Sequence, residues 1–409
     1  MRSTILSVCL LLTFASWKGY AQKRALRFSG SLSLQTPITF AYTRPYRIGG
    51  NAKKSTSLIP SLSLFLTTSD LPGGWLFNTR LQLQYRYSST FNFQRPTVLR
   101  IYQGMLTKHL RYGEVRIGRF YSTYERFSSF WDGLAFRYGN PDRYIGIAAG
   151  FLPDQWVEKF TTDRPRFSVF AQYEHRVGKL RAGLNLSYHE VRPQRIYPLH
   201  RYSGTSLWLR SPAFQLSSNF QLDRDPESGL WKSSYWYNRA TLLFSYFRLT
   251  GRYAYRRFYS IWRTQHVFSP RRDQYELRLD LSPSSFSAGA SIMWNYYTSE
   301  LQSKSYYGFF GMSRLPLLPI SWRASGSYWE ARDGYSLLTS ISLQPPLPVE
   351  VGAMFYRTDF MQVVTNSFAL TLRGRFQLPR QIRLTTNLRL QFGDYLNQFT
   401  LYTGLWIPL

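Results

Sequence analysis

The stretch Ile382-Arg383-Leu384-Thr385-Thr386-Asn387-Leu388-Arg389-Leu390-Gln391-Phe392 decides the fold. Side chains of a strand alternate between two faces. Ile382, Leu384, Leu388, Leu390 and Phe392 therefore share one face, and Arg383, Thr385, Asn387, Arg389 and Gln391 share the other. Leu81, Leu83, Tyr85 and Tyr87 likewise alternate with Arg80, Gln82, Gln84 and Arg86. Tyr275, Leu277, Leu279 and Leu281 alternate with Glu276, Arg278 and Asp280. A soluble sandwich hides its apolar face in a core. Here the strongly polar face is the one expected inside.

The N-terminus supplies the reason. Met1-Arg2 is a small positive start, and Ile5 to Phe14 form an apolar run of about ten residues, the length of a signal-peptide core. Gly19-Tyr20-Ala21 puts small residues at −3 and −1 of a cleavage point before Gln22. The run is too short for a spanning helix, which needs ~20 apolar residues. Cys9 does not mark a lipoprotein signal, because the apolar run continues through Leu10, Leu11 and Leu12. The expected organisation is a signal peptide over 1–21 and one barrel domain over 22–409. The exported part then has no cysteine and no disulfide framework. A chain that enters a membrane through strands must close on itself, since only a closed barrel satisfies every backbone hydrogen bond.

Strand candidates run near 26–36, 57–68, 75–88, 97–110, 113–121, 131–139, 143–152, 166–176, 179–190, 204–211, 213–222, 236–249, 252–259, 274–282, 285–297, 305–312, 320–330, 335–343, 348–357, 367–378, 381–392 and 396–407. The expected fold is all-β: a closed antiparallel transmembrane β-barrel of about 18–22 strands, the low end allowing weak candidates to merge. After the second strand, every other link is short and rich in turn formers: Asp70-Leu71-Pro72-Gly73-Gly74, Gly139-Asn140-Pro141-Asp142, Val177-Gly178-Lys179, Ser282-Pro283-Ser284 and Pro379-Arg380. The links between tend to be longer, as at 42–56, 153–165, 191–203, 223–235 and 260–273. Outer-membrane barrels put short turns in the periplasm, so both termini are expected there. Aromatics reach 18% of residues, and many, such as Trp75, Tyr121, Trp131, Tyr237, Tyr296 and Trp406, fall near strand ends, as interfacial girdles require.

Over essentially the whole exported part, the chain resembles Gram-negative outer-membrane β-barrel proteins of the porin-like kind. The likeness rests on the signal, the strand pattern and a last strand in which Phe399, Leu401, Leu405 and Ile407 share a face. Gly118-Arg119-Phe120 followed by Asp132-Gly133-Leu134 resembles a Gly-Arg…Asp-Gly hairpin of porin-like and exopolysaccharide-export barrels. The chain departs from the common terminal Phe or Trp, ending Ile407-Pro408-Leu409. The resemblance implies an outer-membrane location among lipid and lipopolysaccharide.

Charge is the second strong feature. There are 51 Lys and Arg against 22 Asp and Glu, a net +29, which loss of Arg2 and Lys18 would lower to +27. Such an excess in a soluble protein suggests nucleic acid, but an exported barrel meets no genome. A lipid-facing Arg costs about 2–4 kcal/mol at the bilayer midplane, so strand arginines should face the lumen. By alternation these are Arg80, Arg86, Arg137, Arg181, Arg252, Arg278, Arg323, Arg373, Arg375, Arg383 and Arg389. Rings of Arg select anions in pores. The competing reading is an interior held by ion pairs with Glu174, Glu276, Asp280 and Glu330. Acidic strand residues are too few to neutralise the arginines, so a net positive lumen is expected. Loop arginines Arg192, Arg195, Arg271 and Arg272 are suited to lipopolysaccharide phosphates.

No plug domain is expected before the strands, and no loop reads as long enough to fold into a large lid. The five histidines are isolated, so neither a zinc site nor any cofactor is expected. Ser187 and His189 share a face but lack a nucleophile elbow. Asp223, Asp225 and Glu227 have the opening spacing of a calcium loop, whose twelfth position is Ser234 instead of Glu. No enzyme activity is expected. The leading expectation is a passive pore for small, anionic solutes. The alternative is the barrel component of an export or assembly complex for polysaccharide, lipid or protein, with periplasmic partners. A barrel-embedded hydrolase comes third. The solute and the oligomeric state are not written in the sequence.

Overall fold

The computed structural model describes residues 27–43, 53–90, 96–122, 130–153, 162, 164–192, 199–225, 228–257, 259–262, 265–268, 270–283, 286–312, 320–332, 334–345, 347–360, 363–394 and 396–409. The expected signal segment, 1–21, lies outside them.

The first third of the chain forms β1 (Arg27–Thr43), β2 (Lys53–Leu58), β3 (Ser61–Leu71), β4 (Trp75–Tyr85), β5 (Tyr87–Ser88), β6 (Thr97–Leu110), β7 (Gly113–Tyr121), β8 (Phe130–Gly139) and β9 (Arg143–Phe151). The middle forms β10 (Pro165–Val177), β11 (Leu180–Val191), β12 (His200–Arg210), β13 (Phe214–Arg224), β14 (Trp231–Leu243), β15 (Phe247–Arg256), β16 (Tyr259–Trp262), β17 (Gln265–Phe268) and β18 (Arg272–Leu281). The last part forms β19 (Phe286–Tyr297), β20 (Glu300–Met312), β21 (Ser321–Ala331), β22 (Gly334–Gln344), β23 (Val349–Phe360), β24 (Val363–Gln377), β25 (Arg383–Gly393) and β26 (Leu396–Pro408).

Successive crossings pair antiparallel around the ring, and β1 closes it against β26, from Ser31↔Pro408 to Thr43↔Leu396. The crossing from Lys53 to Leu71 is interrupted at Ile59-Pro60, where Pro60 has no N–H to give the ladder. Arg86 similarly separates β4 from β5. With these joined, and β16–β17 paired apart as a loop hairpin, the barrel has 22 strands. Each of the expected strands has its counterpart.

Two features depart from expectation. Strands expected over 236–249 and 252–259 turn instead between Leu243 and Phe247. Phe244 N–H donates to the Phe247 carbonyl at 2.9 Å, and the two rings stack at 4.1 Å. Gly251, which falls in the link expected between them, sits inside β15. The sorting of links also changes along the chain. Short links such as 111–112 and 178–179 alternate with long ones such as 152–164 and 257–271 up to β19. Beyond it the formerly long side carries the two-residue links 298–299, 332–333 and 361–362, while 313–320 on the other side spans eight residues. The start of β1 and the C-terminus lie at the rim bearing the early short turns, where Leu409 N–H donates to the Gly30 carbonyl at 2.9 Å.

One face of the sheet exposes Leu34, Leu62, Leu83, Leu134, Ile145, Leu207, Leu277 and Leu370. An apolar outward face and a closed sheet are the two requirements for crossing a bilayer with strands. Burial concentrates on the other face of β6 to β10, where Met105, Phe120, Trp131, Ala135, Tyr144, Ala148 and Phe170 pack together. Small residues make room there: a Cβ on Gly146 would lie 2.4 Å from the Phe170 ring. No described helix is long and apolar enough to cross a membrane.

Candidate functional site

The polar face carries two different surfaces, a packed wall over β6–β13 and an arginine-bearing surface around the rest. The wall begins at Gly118. Its φ of +114° is one that L side chains rarely adopt, and a Cβ there would meet the Gly104 carbonyl oxygen at 2.2 Å. Strict alternation fails beside it, so Phe120, Trp131 and Asp132 are all fully buried. Arg119 clasps Asp132 across the β7–β8 pair with Nε–Oδ1 and Nη2–Oδ2 bonds of 2.6 Å each, and donates from Nη1 to the Ile101 carbonyl at 3.0 Å. The Gly-Arg…Asp-Gly hairpin singled out in the sequence is thus an interlocked ion pair.

The wall continues through stacked cations and rings. Arg166 lies 4.2 Å over Trp131 and donates to the Tyr202 hydroxyl at 3.1 Å. Tyr202 stacks on His189 at 4.4 Å. His200 Nε2 stands 2.8 Å from Asp223 Oδ1, and Gln221 donates to both oxygens of the same carboxylate. Lower on β7, buried Glu114 meets Arg116, His109 at 3.3 Å and Arg137 at 3.6 Å. At the opposite rim, Arg271 donates to Asp273 Oδ2 at 2.6 Å, and this bond raises its pKa and keeps it cationic.

Asp223 and Asp225, the acids of the calcium-like spacing, are engaged by His200 and Lys232, and Glu227 lies outside the described residues. Ser187 is buried, its hydroxyl 3.5 Å from the Gly204 carbonyl, while His189 is occupied by its stack with Tyr202. Among the described residues no three metal-ligating side chains converge.

Arg373, Arg375 and Thr371 of β24 stand opposite Asn387, Thr385 and Arg389 of β25, and Gln377 stands opposite Arg383. Four of the eleven arginines expected by alternation meet carboxylates: Arg137 with Glu114, Arg252 with Glu276 at 2.8 Å, Arg278 with Asp280 at 2.8 Å and Arg373 with Glu350 at 3.8 Å. Others meet rings and amides. Arg323 lies 4.1 Å over Phe309, Arg383 lies 4.9 Å over Trp406 and Arg80 lies 5.5 Å over Tyr102. Arg86 donates to Gln84 and Arg389 to Gln391. Glu330 stands opposite Lys304 instead of joining an arginine.

One arrangement escaped the sequence. Arg176 stands directly opposite Arg181, which in turn stands directly opposite Arg210. Three cations thus lie side by side across β10, β11 and β12, all exposed. Like charges in directly opposed positions destabilise a sheet unless something neutralises them. Only the cross-strand register reveals this row, and no local pattern encodes it.

No family model matches the chain, and no curated protein does. Solved structures do. The P pilus usher (PapC) translocation pore matches at 10% identity with a TM-score of 0.55, covering 92% of this chain and 100% of that one. OccK9 (OpdG) of Pseudomonas aeruginosa matches at 11% identity with a TM-score of 0.47, covering 93% and 98%. OccAB4 of Acinetobacter baumannii matches at 11% identity with a TM-score of 0.40, covering 93% and 98%. At such identities the likeness establishes the fold alone. In that fold the chain resembles the large outer-membrane β-barrels.

Proposed function

We propose that this chain is an outer-membrane channel giving passive passage to small anionic solutes. In this reading the polar face lines the lumen, and Arg80, Arg86, Arg137, Arg181, Arg252, Arg278, Arg323, Arg373, Arg375, Arg383 and Arg389 face the solute. The early short turns and both termini lie in the periplasm. The observation that carries the reading is the row Arg176–Arg181–Arg210, three exposed in-register cations at the short-turn rim. Such a row needs mobile anions as counterions, and a pore mouth supplies them. A barrel of this strand number is wide, so diffusive passage requires no conformational cycle.

Planar-bilayer recording of the purified chain tests this. An ohmic conductance whose reversal potential in a salt gradient favours anions is the expected result. A silent membrane, or cation selectivity, overturns it. A second reading, the barrel component of an export or assembly complex, draws on the likeness to the usher pore. It predicts a silent purified chain that gains conductance or a bound polymer only with periplasmic partners.

A further inference from the structure

The outward face of β8–β19 is not a uniform apolar belt. Two adjoining depressions of about 860 Å³ and about 440 Å³ are cut into it, each within the ~300–1,000 Å³ typical of ligand pockets. The larger follows two register rows across β10 to β19. It is walled by leucines such as Leu184, Leu207 and Leu277 and floored by Ala182, Ser218, Ala240 and Gly251. Gly251 belongs to this floor: a Cβ built there meets no atom within 4 Å. The smaller depression lies toward β8, between Tyr138, Ile145 and Leu186. Tyr173 and Leu184 line both, so they form the ridge between them.

The two depressions converge on a cationic head. Arg143 lines the smaller one and His175 the larger. Arg143 Nη2 stands 3.4 Å from His175 Nδ1, and its guanidinium lies 4.9 Å over the Tyr173 ring. Tyr173 and His175 stack with planes 14° apart. The cluster sits next to the turns 140–142 and 178–179, at the rim where exposed Tyr112, Tyr138 and Tyr246 mark an interfacial level. At that depth a cation reaches headgroups, whereas at the midplane it would be costly.

We propose that Arg143, Tyr173 and His175 hold the phosphate of one phospholipid, whose two acyl chains lie in the two depressions on either side of Tyr173. The inference rests on the membrane-spanning reading but not on the pore being anion-selective. Charge complementarity fixes the head, since a planar guanidinium and an imidazole N–H suit phosphate oxygens. The apolar walls fix the tails. Two chains on one head match two depressions that meet at one cluster.

The test is native mass spectrometry of the full chain in detergent, titrated with phosphatidylglycerol. One lipid should remain bound to the unaltered chain, with affinity falling at least tenfold in Arg143→Ala and recovering partly in Arg143→Lys. Leu184→Trp, which fills the ridge, should also weaken retention while leaving Arg143 intact. Equal retention by unaltered chain and Arg143→Ala overturns the proposal. Equal retention of diacylglycerol, which lacks phosphate, overturns it too. So does displacement by inorganic phosphate alone, or preference for lipopolysaccharide. A chain that fails to enter bilayers at all sinks the membrane reading instead, and conductance recorded from the same preparation reports the pore reading separately.

Discussion

Arg119 and Asp132 meet across β7 and β8 in a bidentate ion pair, with both bonds at 2.6 Å and the carboxylate fully buried. Buried charge is tolerated only when its partner is present. Arg119→Ala should therefore cost about 3–5 kcal/mol by leaving Asp132 uncompensated. Asp132→Ala should cost a similar amount. The double variant Arg119→Ala with Asp132→Ala should lose less than the sum, because neither charge is then stranded. Urea unfolding of the barrel in detergent, read by gel mobility with and without heating, measures all four. Additive losses would show that the pair is not coupled.

Gly118 beside this pair gives a second prediction. Its φ of +114° and the 2.2 Å approach of a Cβ to the Gly104 carbonyl leave no room for a side chain. Gly118→Ala should lose at least the ~1–3 kcal/mol of a strained backbone position. Gly251→Ala is the control, with open space around its Cβ and an expected change within about 0.5 kcal/mol. Thermal unfolding of both variants decides; equal midpoints would refute the assigned difference.

The tight link 298–299 offers a stabilising change. Thr298 and Ser299 both hold positive φ, 50° and 74°, in a turn whose favoured residues are Asn and Gly. Each non-glycine residue in that region carries a penalty of roughly 1–2 kcal/mol. Ser299→Gly, alone or with Thr298→Asn, should raise stability by roughly 1 kcal/mol. An unchanged or lowered unfolding midpoint would contradict the turn geometry.

That turn also shows what the sequence carried and what it hid. Period-two alternation survives along most of the strand length, because lipid on one face and water on the other penalise any slip, and it breaks locally beside Gly118 and at the register shifts of β4–β6, β13–β14 and β19–β20. Leu384, Leu388 and Leu390 against Arg383, Asn387 and Arg389 therefore announced both strand and faces. Turns were legible where Gly or Pro imposed them, as at Gly73-Gly74 and Gly178. They were hidden at Thr298-Ser299, and at Phe244–Tyr246, where ring stacking does the work of a turn former. Site geometry was hidden further. The Gly118-Arg119…Asp132-Gly133 spacing was visible, but its ion pair needs the backbone break at Gly118. The row Arg176–Arg181–Arg210 depends on register between strands, which follows from closing the whole ring.

Some of these arginines meet carboxylates and others meet rings or amides, and the two groups should differ in selectivity. Arg383 lies over Trp406 and Arg389 donates to Gln391, so neither has a compensating carboxylate among the described residues. Charge reversal at both, Arg383→Glu with Arg389→Glu, should move the reversal potential in a salt gradient toward cations. Reversal at Arg252 disturbs the 2.8 Å pair with Glu276, and should cost stability before it changes selectivity. An unchanged reversal potential in the double variant rejects the lumen assignment of β25.

Neighbouring residues of β25 separate the two faces most directly. Leu388 pairs with Leu401 and Leu372 on the apolar face, whereas Asn387 pairs with Tyr402 and Arg373 on the polar one. Leu388→Arg should cost about 2–4 kcal/mol if it enters hydrocarbon near the midplane. Asn387→Arg adds the same charge one residue away on the polar face, and its cost is the like-charge repulsion with Arg373 directly opposite, about 1 kcal/mol or less. Both variants place one guanidinium on neighbouring residues of the same strand, so the main difference is the face that receives it. Folding yield into lipid vesicles and urea midpoints measure both. Equal penalties would mean that the apolar face does not meet lipid, and the membrane-spanning reading would fail with it.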